Sequence, residues 1–459
     1  MTTPQKTPIN LMRGWPHPTL LPTPLLTTAA AHTLSSPSTS TPALSYGPDA
    51  GHPPARAAIA SWLSETYSPA AGPVSADRIC ITGGASQNLG NLLASYTDAE
   101  HTLAVWVVAP AYFLAFGIFE DGGFGGKMRA VGEDGEGVDV GALERGMEGV
   151  ERDAGAAGRG RGGEGRARKV YRHVVYCVPT FANPSSRTMS LRRRRELVRV
   201  ARRFDALVVA DDVYDFLRWS VDGGGEGGGE GCLPRLVDVD REIDGGAERE
   251  GADGFGNAVS NGSFSKIAGP GVRCGWVEGT SRFAYGVSQT GTTRSGGAPS
   301  QLTSVFLTHL LETKQLQNHI RHTLQPTYAR RYHILQEAIR HHLIPLGFSL
   351  PQPTRSVAGG FFVWLILPEG MSSGDLAEVC SEEEGVIVAQ GAMFEVPGDS
   401  SVKFDGNVRL CFTWEDEDRL AEGVVRIKKA AKKLLAGGKR SGDYVMVEKR
   451  DAYGVDEFK

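Results

Sequence analysis

The chain has 459 residues, of which 49 are basic and 53 acidic, with a formal net charge of −4. This length allows a large core and two or more domains, and the balanced charge gives no basic excess of the kind that binds nucleic acid. No apolar run reaches the roughly 18 to 20 residues of a membrane span, and Met1–Asn10 lacks the apolar stretch of a signal peptide. We therefore expect a cytoplasmic protein that binds neither nucleic acid nor membranes.

The first 45 residues are rich in Pro, Ser and Thr and predict an extended arm. From Tyr46 to about residue 280, short β-branched runs alternate with helical patterns. The helix predicted over Ser190–Phe204 begins at a candidate N-cap, Ser190. The apolar runs are Ile79–Ile81, Leu103–Val108, Val174–Val178, Ala206–Ala210, Ala258–Ser260 and Cys274–Val277. This alternation predicts an α/β fold whose mostly parallel sheet, of a seven-stranded type, lies between helices.

Two glycine-rich stretches, 150–168 and 221–256, interrupt the alternation. Neither joins a strand directly to a helix, so neither matches a nucleotide-binding loop. Their composition buries too little apolar surface to offset the entropy of ordering. We predict two flexible surface insertions without a catalytic role.

Longer helical patterns follow from about Ser300. The predicted elements are the helices Gln301–Leu311, Leu316–Leu346 and Asp418–Leu435 and the strands Gly360–Leu367 and Val408–Phe412. They predict a small α+β domain over 296–437, beside a large domain over 46–295. The arm, 1–45, would contribute to the small domain and the active site, and 438–459 would form a loose tail.

The cysteines and histidines give no sign of a metal site. Four of the six cysteines lie in apolar, strand-like runs, which predicts buried thiols in a reducing compartment: Cys80, Cys177, Cys274 and Cys411. His319 and His322 could share one helix face, but such a pair is more often a helix surface than a metal site. We predict no metal.

The segment Ser263–Arg273 is the most informative motif of the chain. Lys266 lies between two hydroxyl residues, and a Gly-Pro-Gly turn leads from it to Arg273. Hydroxyl and guanidinium groups suit a phosphate, and a lysine amine can form a Schiff base with an aldehyde. Pyridoxal 5′-phosphate (PLP) carries both groups. A solvated loop lysine is the alternative interpretation of this segment taken alone.

Further segments would each supply a different contact to the same cofactor. Thr82–Gln87 passes from a strand through a glycine turn into a helix, whose N-terminus can bind an anion. Tyr112 follows a strand and offers a ring for stacking, and Asn183 follows another and offers an amide donor. Asp211 and Asp212 end a strand, where a carboxylate could hold a pyridinium nitrogen or, less readily, a metal.

On these motifs the sequence resembles the class I/II aminotransferases of PLP fold type I, in particular the branch of the 2-aminoadipate, kynurenine and valine–pyruvate aminotransferases. The similarity covers nearly the whole chain outside the glycine-rich stretches. It rests on the segments Gly14–Pro18, Leu44–Gly47, Thr82–Gln87, Ala109–Tyr112, Asn183-Pro184, Asp211–Tyr214, Ser263–Arg273 and Val408–Leu410.

The resemblance implies a role for each candidate site residue. Lys266, Asp211 and Tyr214 would be catalytic: Lys266 as the Schiff-base lysine and Asp211 as the partner of the pyridine nitrogen. Tyr46 would reach the phosphate of a neighbouring subunit, which implies a homodimer with shared active sites. The remaining implied contacts are Tyr214 and Asn183 at the phenolic oxygen, Tyr112 against the ring, Gly84, Ala85, Ser263, Ser265 and Arg273 at the phosphate, and Arg409, Gly14 and Asn183 at the substrate.

The sequence departs from the family pattern at two points. The expected Asn-Pro-Thr-Gly reads Asn183-Pro184-Ser185-Ser186, and Ala85 stands where a serine is common. Neither change touches the lysine, aspartate or arginine of the expected site. Arg13 could meet an acidic substrate side chain or be an ordinary surface arginine.

We therefore expect an aminotransferase that moves an amino group between an L-amino acid and a 2-oxo acid by a ping-pong reaction. The alternatives are another fold type I PLP enzyme, namely a lyase, a decarboxylase or a cyclopropane-carboxylate synthase, and a non-catalytic PLP-binding regulator. A regulator would need a DNA-binding domain, and the residues before Tyr46 show no helix-turn-helix pattern. A nucleotide-dependent oxidoreductase would need a G-x-G-x-x-G motif between a strand and a helix, and the glycine runs do not supply one.

Overall fold

The computed structural model describes residues 7–155, 168–221, 231–294, 299–352 and 355–437. The predicted loose tail and residues 156–167 and 222–230 of the glycine-rich stretches lie outside the described residues. The α-helices are α1 (Thr23–Leu34), α2 (Pro37–Leu44), α3 (Pro53–Tyr67), α4 (Ala85–Tyr96), α5 (Leu114–Phe119), α6 (Val140–Ala154), α7 (Leu191–Arg203), α8 (Leu236–Glu242), α9 (Ser281–Ser288), α10 (Gln301–Glu312), α11 (Gln315–His319), α12 (Gln325–His342), α13 (Ser373–Val379) and α14 (Glu417–Leu435).

The strands are short, as is usual for a sheet whose strands alternate with helices. They are β1 (Ile9–Asn10), β2 (Ile79–Thr82), β3 (Ala104–Ala109), β4 (Met128–Asp134), β5 (Gly137–Val138), β6 (His173–Cys177), β7 (Ala206–Asp211), β8 (Arg218–Ser220), β9 (Ala258–Ser263), β10 (Gly275–Glu278), β11 (Val357–Gly359), β12 (Phe362–Ile366), β13 (Val386–Ile387), β14 (Ala389–Gln390) and β15 (Asn407–Cys411).

The central sheet has the strand order β2-β10-β9-β7-β6-β3-β4-β5. The five strands from β4 to β9 through β3, β6 and β7 pair in parallel, whereas β10 runs antiparallel to β2 and β9. The two-residue β5 adds an antiparallel edge to β4. Strands β3, β6, β7 and β9 are buried along their whole length, which explains their continuous apolar runs. The predicted α/β fold with a mostly parallel sheet is confirmed, but over the described residues the sheet has eight strands instead of the seven expected, because the short β5 extends it beyond β4.

A second sheet, in the order β12-β15-β14, is built from the second half of the chain. Its strands are antiparallel, with Phe362 of β12 opposite Cys411 of β15. Strand β1 of the arm pairs in parallel with β13, so that Ile9 lies beside Val386. The start of the arm is therefore attached to elements made late in the chain.

The prediction of an extended arm over residues 1–45 is wrong, because this segment contains α1 and α2. Two of its prolines stand at helix starts instead of preventing helices: Pro24 and Pro37 lie in first turns, where a proline loses no intrahelical hydrogen bond, whereas Pro42 lies inside α2. The Ser36 hydroxyl accepts a hydrogen bond from the Ser38 backbone and caps α2. A composition typical of loops here marks helix starts.

The prediction of a flexible insertion over 221–256 is wrong for the second half of this segment, where α8 forms. Leu236 and Val239 of this helix are buried against the central sheet's helical layer. Arg235 pairs with Asp238 at 2.9 Å and with Glu278 of β10 at 2.8 Å. This segment is rich in glycine, but apolar side chains at helical spacing and a paired charge stabilise a helix in it.

The single helix predicted over Leu316–Leu346 is divided. A five-residue π-helical segment, Ile320–Leu324, separates α11 from α12. Helix α12 ends at His342, and a short 3-10 helix with Pro345 in its first turn follows over Ile344–Leu346. By contrast, α7 begins as predicted, with the Ser190 hydroxyl accepting a hydrogen bond from the Arg193 backbone at 3.2 Å.

The six cysteines are free, and the four expected to be buried are buried. Among the residues that the structure describes, no helix is both long enough and apolar enough to cross a bilayer.

Gly262 and Trp276 form a tight cross-strand pair next to the lysine loop. They lie opposite each other in β9 and β10, and a Cβ atom on Gly262 would lie 2.1 Å from Trp276 Cε2. The indole is buried and packs edge-on against Phe264, with 5.0 Å between the ring centroids. The Trp276 ring therefore covers Gly262 and holds Phe264, which lies two residues before Lys266.

We expect Gly262→Ala to lower the free energy of unfolding by about 1–3 kcal/mol, because the buried indole would have to move. Gly149→Ala is the matched control: Gly149 lies inside α6 with no atom within 4 Å of a Cβ, so alanine should raise stability by up to about 1 kcal/mol. Urea unfolding measures both. Equal changes in the two variants would contradict the proposed overpacking.

Candidate functional site

A cavity of about 260 Å³ lies where the carboxyl ends of β6, β7 and β9 face the β12-β15-β14 sheet. Most candidate residues from the sequence line it: Gly14, Ala85, Tyr112, Asn183, Asp211, Tyr214, Ser263, Ser265, Lys266, Arg273 and Arg409. Gly84 adjoins it, since a Cβ atom there would lie 3.0 Å from Arg273 Nη2. Tyr46 is outside this lining and 91% exposed. The structure thus brings together residues from segments nearly 400 positions apart.

Lys266 extends into the cavity from the loop after β9. Its Nζ donates a 2.8 Å hydrogen bond to the Gly14 carbonyl and lies 5.1 Å from the centroid of the Phe361 ring. Burial lowers the pKa of Lys266 to about 8. A large part of the amine is therefore neutral, and nucleophilic, at mildly alkaline pH.

Asp211 ends β7 and presents an unsatisfied carboxylate oxygen. Its Oδ2 accepts a 2.7 Å hydrogen bond from the Tyr176 hydroxyl, whereas its buried Oδ1 has no hydrogen-bond partner among the residues that the structure describes. Burial raises the pKa of Asp211 to about 6, against the hydrogen bond from Tyr176, which lowers it. A cationic N–H group brought to Oδ1 would complete this site.

Arg409 lies on β15, the middle strand of its sheet, and is buried. Its Nη1 donates to Asn183 Oδ1 at 2.7 Å and its Nη2 to the Met12 carbonyl at 2.6 Å. Its Cζ lies 4.0 Å from the centroid of the Phe362 ring, and within the described part of the chain its Nε has no hydrogen-bond partner. Burial lowers the pKa of Arg409 to about 10, so that the guanidinium keeps its charge at neutral pH.

The opposite end of the cavity is suited to an anion. Gly84, with φ +100°, precedes α4, whose first backbone N–H groups have no partner inside the helix. The Ser263 hydroxyl donates to Ser265 Oγ at 2.9 Å, and Arg273 Nη2 donates to the Gly83 carbonyl at 2.7 Å. Hydroxyls, a guanidinium and a helix N-terminus therefore meet at one place.

Two tyrosines complete the wall between these ends. Burial raises the pKa of Tyr112 to about 12 and that of Tyr214 well above its ordinary value. Both hydroxyls therefore stay protonated and can donate hydrogen bonds. The Tyr214 ring packs against Phe361 with 5.4 Å between the centroids.

Arg13 does not line this cavity. Its guanidinium lies between the indoles of Trp15 and Trp414, 4.7 and 4.8 Å from the ring centroids. Trp15, the residue two positions on, reaches the cavity wall. The arginine is thus engaged in cation–π contacts behind that wall.

Sequence reasoning missed two polar residues beside the cavity. Tyr176 lies inside the apolar strand β6, and a buried tyrosine needs a hydrogen-bond partner, which could have indicated its contact with Asp211. Asn261, in β9, donates to the Ala85 carbonyl at 3.1 Å and accepts from Asn88 Nδ2 at 2.8 Å. It therefore ties the first turn of α4 to the sheet.

The residues present fit PLP. Lys266 supplies an amine for the aldehyde, and the buried, unpartnered Oδ1 of Asp211 matches a protonated ring nitrogen. The anion site at the start of α4 suits the phosphate, and Tyr112 lies in the wall between them. Within the described ranges, no group of three or more His, Cys, Asp or Glu could hold a metal ion.

Comparison with known proteins gives one family. The model of the family "Aminotransferase class I and II" matches residues 21–427. An uncharacterized protein of Saccharomyces cerevisiae is 33% identical, over 91% of this chain and 95% of that protein. The aromatic-amino-acid aminotransferase 1 of Thermococcus litoralis is 27% identical, over 93% of this chain and 88% of its own.

The fold is similar to that of a solved aminotransferase. The crystal structure of Pyrococcus horikoshii kynurenine aminotransferase, in complex with PMP, has a TM-score of 0.74 and 27% identity. The similarity covers 94% of this chain and 92% of that one.

We expect Lys266 of the cofactor-free protein to react with an amine-directed acylating reagent with a midpoint near pH 8, because only the neutral amine reacts and burial lowers its pKa to about 8. A free lysine, with a pKa of about 10.4, becomes neutral at higher pH. Peptide mass mapping of pH-stepped labelling measures the midpoint. The exposed lysines of the same digest are the internal control, and a shared midpoint would contradict the expectation.

Proposed function

Because the chain belongs to the class I and II aminotransferases, we propose that the cavity around Lys266 is where this PLP-dependent transaminase moves an amino group between an L-amino acid and a 2-oxo acid. The observation that carries the proposal is the convergence of a partly buried amine, a buried carboxylate with a free oxygen and a buried guanidinium on one cavity. These are Lys266, Asp211 and Arg409.

We propose that this chain's residues hold PLP as follows. Lys266 Nζ would hold the aldehyde, with loss of water, and Asp211 Oδ1 would accept a hydrogen bond from the protonated ring nitrogen. The start of α4 would hold the phosphate, with contacts from Gly84, Ala85, Ser263, Ser265 and Arg273. Tyr112 would pack against the ring, while the Tyr214 hydroxyl and the Asn183 amide would donate to the phenolic oxygen. The bound cofactor supplies an electron sink for negative charge at the substrate Cα.

Arg409 is the proposed site for the substrate α-carboxylate. Two of its five N–H groups are used by Asn183 and the Met12 carbonyl, and the buried Nε–H is unpartnered. A planar guanidinium held on two sides presents its remaining donors in a fixed direction. Gly14 and Asn183 complete this part of the cavity.

Lys266 is the proposed acid and base. With a pKa lowered to about 8, its amine can take the Cα proton and later return it without a large energetic penalty. The Gly14 carbonyl accepts a 2.8 Å hydrogen bond from the free Nζ amine. The same proton transfers, run in reverse with a second 2-oxo acid, complete a ping-pong cycle.

We propose the domain division expected from the sequence: a large PLP-binding domain over 46–295, a small α+β domain over 296–437, and the arm 1–45 beside both. The strands of the central sheet lie between Ile79 and Glu278, whereas β12, β14 and β15 lie between Phe362 and Cys411, which supports this division. The free, mostly buried cysteines support a cytoplasmic location.

We propose a homodimer in which Tyr46 contacts the phosphate bound by the partner subunit. Tyr46 is 91% exposed and Leu44 67%, and neither lines the cavity of its own chain. Two large apolar side chains this exposed, close in sequence, favour burial against another molecule.

We expect Lys266→Ala to remove covalent cofactor and to lower transamination at least about 100-fold, because no other group would hold and move the Cα proton. Borohydride reduction followed by intact-protein mass measures the covalent bond, and 2-oxo acid formation measures turnover. Lys127→Ala is the matched control, since that amine contacts backbone carbonyls outside the cavity. Undiminished turnover in the Lys266 variant would refute the assignment.

We expect Tyr46→Phe to weaken PLP retention, because one phosphate donor is lost. Mixing this variant with Lys266→Ala should restore part of the retention and activity. In a mixed dimer, the site with an intact Lys266 receives its Tyr46 from the other subunit. Sedimentation verifies the dimer. Activity no greater than the sum of the two separate variants would contradict the shared site.

A further inference from the structure

The loop after β6 holds two non-glycine residues in the left-handed region, on either side of Asn183. Phe181 has φ +50° and Ser186 has φ +59°. Ser186 occupies the position where the family pattern led us to expect glycine. L-residues reach this conformation at a cost, so local contacts must hold the serine there.

The Ser186 hydroxyl makes one such contact, with the second sheet. It donates a 2.6 Å hydrogen bond to the Phe362 carbonyl of β12. Among the described strands, β12 lies at the edge of its sheet. Its backbone groups that point away from β15 therefore need hydrogen-bond partners from outside the sheet. At the other end of β12, Ile366 satisfies its outward groups through a bridge with Ser349. Ser186 likewise satisfies the outward-pointing carbonyl of Phe362.

The joint between the loop and β12 is narrow. A Cβ atom on Gly359 would lie 2.4 Å from the Phe181 ring, so backbone and ring are in close contact just before β12. Beyond Ser186 lies a second cavity, of about 440 Å³, that also reaches Phe362. Phe362 thus borders both cavities, although its ring is buried against Tyr214 and Phe361.

This joint sets the distance between two groups that hold Arg409. Asn183, on the loop, accepts from Arg409 Nη1 at 2.7 Å. Phe362, on β12, lies with its ring 4.0 Å from Arg409 Cζ. Movement of the loop away from β12 would separate these two contacts and rotate the guanidinium.

We propose that Ser186 is a positioning residue, whose hydroxyl fastens the Asn183 loop to β12 and thereby fixes the orientation of Arg409 for the substrate carboxylate. The inference rests on the proposed role of Arg409. It explains why a strained serine stands at a position that glycine would occupy without strain.

Ser186→Ala and Ser186→Gly test this proposal together. Both remove the hydroxyl, so both should raise KM for the amino donor about three- to tenfold, with kcat within twofold. They differ in stability: glycine accepts φ +59° and alanine does not, so the glycine variant should have the higher Tm. A shared rise in KM with different Tm values in the two variants separates positioning from general destabilisation.

Hydrogen exchange of the PLP-loaded protein gives a readout that does not depend on activity. In both variants the peptides over 181–187 and 361–366 should exchange faster. Thr66→Val is the matched control, because it removes a 2.8 Å hydroxyl-to-carbonyl hydrogen bond within α3 that does not involve the cavity. An unchanged KM, or a change in exchange and KM equal to that of the control, would overturn the proposal.

Arg409→Lys separates failure of this inference from failure of the proposed function. If Arg409 binds the carboxylate, the lysine variant raises KM whatever the Ser186 variants do. A raised KM in Arg409→Lys with normal KM in both Ser186 variants overturns the role of Ser186 alone. A normal KM in Arg409→Lys overturns the assignment of Arg409, and with it the basis of this inference.

Discussion

Burial of unlike charges in one cavity is the constraint on which the rest of the structure depends. The ammonium of Lys266, the carboxylate of Asp211 and the guanidinium of Arg409 all lose water, and each is only partly compensated by protein groups. Such burial opposes folding unless the charges are held in good geometry. The two sheets supply that geometry, since Asp211 ends a strand of one and Arg409 lies on the middle strand of the other. The same incomplete compensation leaves donors and acceptors for a ligand.

The central sheet could be predicted closely from the sequence because strands buried on both faces must be apolar along their length. The runs from Ile79 and Leu103 became β2 and β3 with shifts of one residue at their ends. The arm could not be predicted in this way, since prolines and serines that mark loops also begin helices such as α2. Helix α8 was hidden because its few apolar residues lie inside a glycine-rich composition, and its order comes from Arg235, Asp238 and distant Glu278.

Lys266 and Asp211 could be predicted because their chemistry is unusual where they occur: an amine between two hydroxyl residues in a loop that leads to an arginine, and an acid at the end of an apolar strand. Their roles remain assignments to be tested, but both line the cavity. Tyr176 and Asn261 could not be found from motifs, since each is recognised only by its contact with a residue distant in sequence, Tyr176 with Asp211 of β7 and Asn261 with Asn88 of α4. Ser186 was visible only as a departure from a pattern. The contact that Ser186 makes depends on the position of β12, which no local sequence signal predicts.

The attachment of the arm has a consequence for biosynthesis. Strand β1 pairs with β13, the Leu11 carbonyl accepts from the Cys411 backbone, and the Met12 carbonyl accepts from Arg409. This segment thus has its partners in segments made about 380 to 400 residues later. Contacts this remote form late, because a long loop must close before they can stabilise anything. The carbonyl of Gly14, two residues beyond Met12, is therefore expected to reach Lys266 only after β15 has been synthesised, so that Lys266 lacks this hydrogen bond until then.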